Sequence, residues 1–182
     1  IVCLGLFVGR LLSGEADRVA LDSELHHARA IIALGVEPHL DGTPLADGLS
    51  ATELQRMVAS AEQLRKSGQV LKLRLRDTDG FVVFDAERPG DPKGSVADRH
   101  AIEALEQGAV VERTVLGADQ ADGGHVEGIP AIEVYLPIIV EGSSDPIGVL
   151  EVYAPYAPVA AARNQSMNRT LGTLVWGLSI VW

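Results

Sequence analysis

Leu71-Lys72-Leu73-Arg74-Leu75-Arg76-Asp77-Thr78-Asp79-Gly80-Phe81-Val82-Val83-Phe84 decides the fold of this 182-residue chain. Leucine at 71, 73 and 75 alternates with Lys72, Arg74 and Arg76, the period of two that a half-buried strand requires. Asp77-Thr78-Asp79-Gly80 is turn chemistry, and Phe81 to Phe84 is the returning strand. The stretch reads as a β-hairpin with one apolar and one basic face.

Towards the N-terminus the period changes to that of a helix. Between about Glu15 and Gly35, Leu21, Leu25, Ala28 and Ile32 form one stripe, which Gly35 and Pro38 end. His39 to Leu49 reads as loop. Ser50 and Glu53 then match a capping box, with Leu49 and Leu54 spaced for a hydrophobic staple. Leu54, Met57, Val58, Ala61 and Leu64 predict the buried stripe of that helix, and Gly68 its stop.

Beyond the hairpin, Glu87 to Ser95 is a Pro/Gly-rich loop, and Asp98 to Gln107 a short helix ended by Gly108. Strands follow at Ala109 to Leu116, Ala131 to Val140 and Ile147 to Tyr153, with a Gly/Asp-rich loop after the first. A last helix is expected from about Pro158. The order is an α+β plan with a single antiparallel sheet.

Register adds a face. Val134, Leu136 and Ile138 must share the buried side with Leu150 and Val152, which requires an even-sum register, such as Tyr135 opposite Glu151 or Tyr153. A slip of one residue would expose half the core. Lys72, Arg74, Arg76, Glu133, Tyr135, Glu151 and Tyr153 then collect on the other face.

Composition bounds the function. An apolar share of 47% supports a full core, and a net charge of −10 argues against binding a nucleic-acid backbone. Cys3 is the single cysteine, so neither an internal disulfide nor a cysteine zinc site is available. His26 and His27 are neighbours on a helix and point about 100° apart, and His39, His100 and His125 lie in separate segments. No metal site and no cofactor are expected. Asp77, Asp79 and Gly80 begin like a calcium loop, but Phe81 to Phe84 occupy the remaining ligand positions. No nucleophile elbow or phosphate-cradling motif is present. The apolar runs Ile1 to Gly9 and Leu171 to Trp182 are each too short to span a bilayer, yet each stops at a chain end. They are expected to be truncated transmembrane helices.

The hairpin from Leu71 to Asp85, with Glu133-Val134-Tyr135-Leu136-Pro137-Ile138 and Ile147-Gly148-Val149-Leu150-Glu151-Val152-Tyr153, resembles the PAS-like extracytoplasmic sensor domains of the single-Cache type. The resemblance covers Glu15 to Ala162. Such domains sit between two transmembrane helices in bacterial histidine kinases, chemoreceptors and cyclic-di-GMP cyclases or phosphodiesterases. It implies an α+β fold, a five-stranded antiparallel sheet with the long N-terminal helix on one face and a ligand pocket on the other. The implied organisation is a truncated membrane helix at 1–12, a sensor domain at 13–162 outside the cytoplasm, and a second membrane helix from 163 to 182. A homodimer, with both termini in the lipid bilayer, is the expected assembly.

Arg74, Arg76, Tyr135 and Tyr153 are the candidate ligand residues, because arginine grips a carboxylate with two donors and tyrosine offers an apolar wall with one hydroxyl. Arg113 and His100 join them only through the position of the pocket in the resembled family. The expected ligand is a small acidic or zwitterionic metabolite. Three alternatives stay open. The face is a structural one with Arg74 paired to Glu151, the chain is a ligand-free dimerisation module, or it is a small hydrolase using carboxylates among Asp77, Asp79, Glu133 and Glu151.

Overall fold

The computed structural model describes residues 21–89, 96–117, 128–141 and 143–156. Helix α1 runs over residues 21–31 and passes into a π-helical turn, Ile32–Val36, and a 3-10 turn, Glu37–His39. Gly35 permits a close approach there: a Cβ on it would lie 3.2 Å from Leu64 Cδ1. The expected loop to Leu49 holds one further 3-10 turn, Leu45–Asp47.

Helix α2 (Ala51–Lys66) begins and ends as the sequence predicts. Ser50 Oγ accepts from the Glu53 N–H at 3.3 Å, and Glu53 Oε2 accepts from the Ser50 N–H at 2.8 Å, a complete capping box. At the other end Gly68, with φ +73°, turns the chain left-handed. Its N–H donates to Arg65 O and the Gln69 N–H to Leu64 O, closing the last turn.

Strands β1 (Lys72–Arg76), β2 (Val82–Asp85), β3 (Val110–Leu116), β4 (Ile129–Ile138) and β5 (Gly148–Pro155) form one antiparallel sheet in the order β2-β1-β5-β4-β3. The β1–β2 hairpin carries a bulge: Leu75 faces Phe84 while Arg76 faces Val82. Asp77 holds its turn by accepting the N–H groups of Asp79 and Phe81 at 3.0 and 2.9 Å. Phe81, expected in the strand, is instead an exposed turn residue. The β4–β5 register pairs Tyr135 with Glu151, one of the two pairings that the buried sets allow.

On the face bearing α1 and α2, Leu73, Leu75, Phe84, Ile132, Leu136, Ile138, Leu150 and Val152 meet Ile31, Val36, Met57 and Ala61 in the main core. Helix α3 (Arg99–Gln107) packs Ala101 and Ala104 against Tyr135 and Val149 on the opposite face. The truncated membrane helices expected at 1–12 and 163–182, and the helix from Pro158, lie outside the described residues. Among the described residues no helix is long and apolar enough to cross a membrane.

Candidate functional site

The pairings place two rows of side chains across the α3 face. The first reads Asp85, Arg74, Glu151, Tyr135, Val110; the second reads Lys72, Tyr153, Glu133, Glu112. Alternation along each strand puts these residues on one side, and the register aligns them.

Glu151 is the centre of the first row and is fully buried. It accepts from Arg74 Nη1 at 3.1 Å and from Arg76 Nε at 2.5 Å. Arg74 also donates through Nε to Asp85 at 2.9 Å, and Arg76 through Nη1 to Gly80 O at 2.7 Å. Arg76 Nη2 lies 3.3 Å from Asp98, the N-cap of α3. Both arginines are therefore engaged by protein carboxylates. Arg74 is the less enclosed, its side chain 20% exposed against 5% for Arg76.

These contacts set the acidities. Burial pulls the Arg74 pKa down, but the Glu151 charge and the Asp85 contact outweigh it and raise it. Burial works against the Asp85 carboxylate too, yet the Glu87 N–H and Arg74 hold it below the usual range. Glu133 behaves oppositely. Burial raises it, the Glu151 and Glu112 charges add to that, and hydrogen bonds from Tyr153 and Tyr135 only partly offset them. Tyr135 and Tyr153 are both raised by burial and by the Glu151 charge, and stay as neutral hydroxyls.

Tyr135 Oη lies 2.7 Å from Glu133 Oε1 and 2.9 Å from Asp98 Oδ2. A hydroxyl carries one hydrogen, so both contacts are hydrogen bonds at once only when one carboxyl is protonated. With both ionised, Tyr135 donates to Glu133 or to Asp98, each within reach of its single hydrogen. Glu133 also faces Glu112 across β3 and β4, a like-charge pairing that adds to its raised pKa. Glu112 in turn has His100 Nδ1 at 3.1 Å.

Five of the six sequence-predicted residues share this face: Arg74, Arg76, Tyr135 and Tyr153 from the strands, and His100 from α3. The His100 ring stands edge-on to Tyr135 with centroids 5.7 Å apart. Arg113 does not join them. It pairs with Ile132, which puts it on the core-facing side of β3, where its guanidinium sits 5.3 Å from the Tyr156 ring centroid. The family position suggested Arg113; strand parity sends it to the other side. Asp98 and Asp85 complete the cluster and were not singled out by sequence. Asp98 was legible as a helix start, but not as the partner of Arg76 and Tyr135.

The strands, helix order and two-faced sheet match a solved structure. Over 86% of this chain the ligand-binding domain of the Pseudomonas aeruginosa PAO1 amino acid chemoreceptor PctC, solved in complex with GABA, superposes with a TM-score of 0.55 at 15% identity. This chain has the Cache/PAS-like sensor fold. It spans 63% of the length of the PctC domain. Two other solved domains are similar to this chain at lower scores. The Escherichia coli DcuS sensor domain aligns at 18% identity over 82% of this chain and 98% of its own, TM-score 0.47. The Campylobacter jejuni Tlp3 sensory domain with isoleucine bound aligns at 16% identity over 84% and 62%, TM-score 0.47. No family model matches the chain, and no curated protein sequence matches it.

Proposed function

We propose that this Cache-like domain is the extracytoplasmic sensory input of a membrane receptor, and that its α3 face recognises a small zwitterionic metabolite. The fold supports the sensory half of this reading. The charge balance of the face carries the ligand half. Asp85, Glu87, Asp98, Glu112, Glu133 and Glu151 outnumber Lys72, Arg74 and Arg76, and His100 is already beside Glu112. Such a face repels a simple dicarboxylate and attracts an ammonium group. Glu133 and Asp98, joined through Tyr135, are the groups to meet the ammonium, and Arg74 is the arginine exposed enough to meet the carboxylate. An acidic ligand without an amine has less support than the zwitterion.

Binding there would bias helices flanking the domain, and through them a cytoplasmic histidine kinase or cyclic-di-GMP enzyme, within a homodimer held in the bilayer at both termini. A thermal-shift screen of amino acids, GABA and dicarboxylates tests the site. A ligand at 100 times its Kd stabilises by about 2.7 kcal/mol. The expected hits carry an amine and lose affinity in Arg74→Ala and Glu133→Gln. A dicarboxylate hit that survives Arg74→Ala overturns the assignment.

A second reading has its own observation. The arginines satisfy protein carboxylates, as they would in a ligand-free dimerisation module. A screen without any hit, on a folded dimer, favours that reading.

A further inference from the structure

A cleft of about 590 Å³ separates the end of α1 from α2, on the side of the sheet away from Arg74 and Glu151. That volume is within the range of small-molecule sites. Helical periodicity supplies both walls. Along α1, His27, Ile31 and Leu34 lie four and three residues apart; along α2, Arg56, Ser60 and Gln63 do the same. Ser60 Oγ donates to Gly35 O at 2.6 Å and ties the two walls together.

The lining is unlike the rest of the protein. The chain carries a net charge of −10, yet the cleft presents Arg56, His27 and His39 and, among the described residues, neither aspartate nor glutamate. Glu24 lies 3.8 Å from His27 Nδ1. Arg56 forms no ion pair with a described residue. An arginine fork left open beside an apolar wall of Ile31, Leu34 and Leu64 suits a carboxylate on a short hydrocarbon. Leu34 is 80% exposed, an apolar surface beside the cleft that such a tail would cover.

We propose that this cleft is a second binding site, taking a small amphipathic monocarboxylate whose carboxylate pairs with Arg56 and whose hydrocarbon lies along Ile31, Leu34 and Leu64. It is separate from the zwitterion site, since the sheet lies between them. The occupant would wedge between α1 and α2 above the π-helical turn.

Hexanoate is the probe, titrated calorimetrically onto the 182-residue chain, with neutral hexanamide as control. The expected result is saturable binding of hexanoate, at least about tenfold tighter than hexanamide, as a charge-assisted pair confers. Arg56→Gln should weaken hexanoate by about tenfold. Ala59→Trp places bulk in the cleft from an exposed position on α2 and should abolish binding, with a retained thermal transition as the check on folding. Arg74→Ala should leave hexanoate binding unchanged, so failure of the sheet-face reading does not touch this one. Absence of hexanoate binding, equal affinity for hexanamide, or affinity unchanged in Arg56→Gln each overturns the proposal. Loss in Arg74→Ala alone overturns it too, by moving the anion site to the sheet.

Discussion

Replacing Glu151 with glutamine removes one charge and keeps the shape. Glu151 is fully buried and is the shared partner of Arg74 and Arg76. Each arginine retains another carboxylate, Asp85 for Arg74 and Asp98 for Arg76, so neither becomes a wholly unpaired buried charge. One arginine nevertheless keeps only a neutral amide oxygen as acceptor, and the other faces an amide nitrogen that cannot accept. Breaking a buried pair by removing one partner costs about 3–5 kcal/mol, and the retained partners put Glu151→Gln at the lower end, about 3 kcal/mol. Against a total stability of roughly 5–15 kcal/mol that is a large fraction. In a domain of this size it lowers Tm by about 10 °C. Urea unfolding followed by circular dichroism measures it directly.

Glu133 supplies the internal control. It lies on the same face one strand away, but burial and the Glu151 and Glu112 charges disfavour its ionised form and raise its pKa. Glu133→Gln should therefore be neutral or stabilising at neutral pH, opposite in sign to Glu151→Gln. A cost below about 1 kcal/mol for Glu151→Gln, in the range of exposed ion pairs, would refute the buried network. So would equal losses for both variants.

Three further outcomes follow from named contacts. Leu73→Asp places an unpaired carboxylate in the main core, where Leu73 is buried, and should abolish the cooperative thermal transition; a transition near the wild-type midpoint would disprove the face assignment. Gly148→Ala should cost about 1–3 kcal/mol in urea titrations, because a Cβ there would collide with the Arg76 carbonyl on β1 and with the Leu45 side chain. Glu133 binds more protons folded than unfolded, so its contribution makes stability fall as pH rises from the ordinary glutamate range through its raised value. Asp85 does the reverse, losing its contribution as pH falls through its lowered value. Tm measured against pH should flatten on the alkaline side in Glu133→Gln and on the acid side in Asp85→Asn.

Local chemistry made most elements legible. The Ser50–Glu53 capping box and the Gly68 stop are short-range devices, so sequence carries them completely. The parity of Leu71, Leu73 and Leu75 against Arg74 and Arg76 is equally local, and burial of one face set the β4–β5 parity, leaving Tyr135 opposite Glu151 or Tyr153. Strand order is another matter. Neither alternation nor turn residues state that β1 pairs with β5, because that pairing joins Leu73 to Val152 across nearly eighty positions. Element order gave five strands in one antiparallel sheet, and the resemblance to Cache domains implied the same sheet; neither stated the order β2-β1-β5-β4-β3. Bulges were also illegible: the extra residue between Phe84 and Val82 moved Phe81 out of the strand and into solvent.

The site was legible as a set of residues but not as an electrostatic balance. Counting along strands gathered Arg74, Arg76, Tyr135 and Tyr153 with Glu133 and Glu151, and suggested a small acidic or zwitterionic ligand. The structure adds two further carboxylates to that face. Asp98 reaches Arg76 only because α3 docks Ala101 and Ala104 on Tyr135 and Val149, a tertiary event with no sequence period. Asp85 reaches Arg74 only because the bulge leaves that pairing intact while shifting the next. Each approach adds a carboxylate to a face on which sequence had placed only Glu133 and Glu151. The same parity argument should have excluded Arg113, since 113 pairs with Ile132 on the core-facing side once Glu112 faces Glu133. A family position and a strand parity conflicted there, and the parity held because moving one side chain across a sheet requires moving all of them.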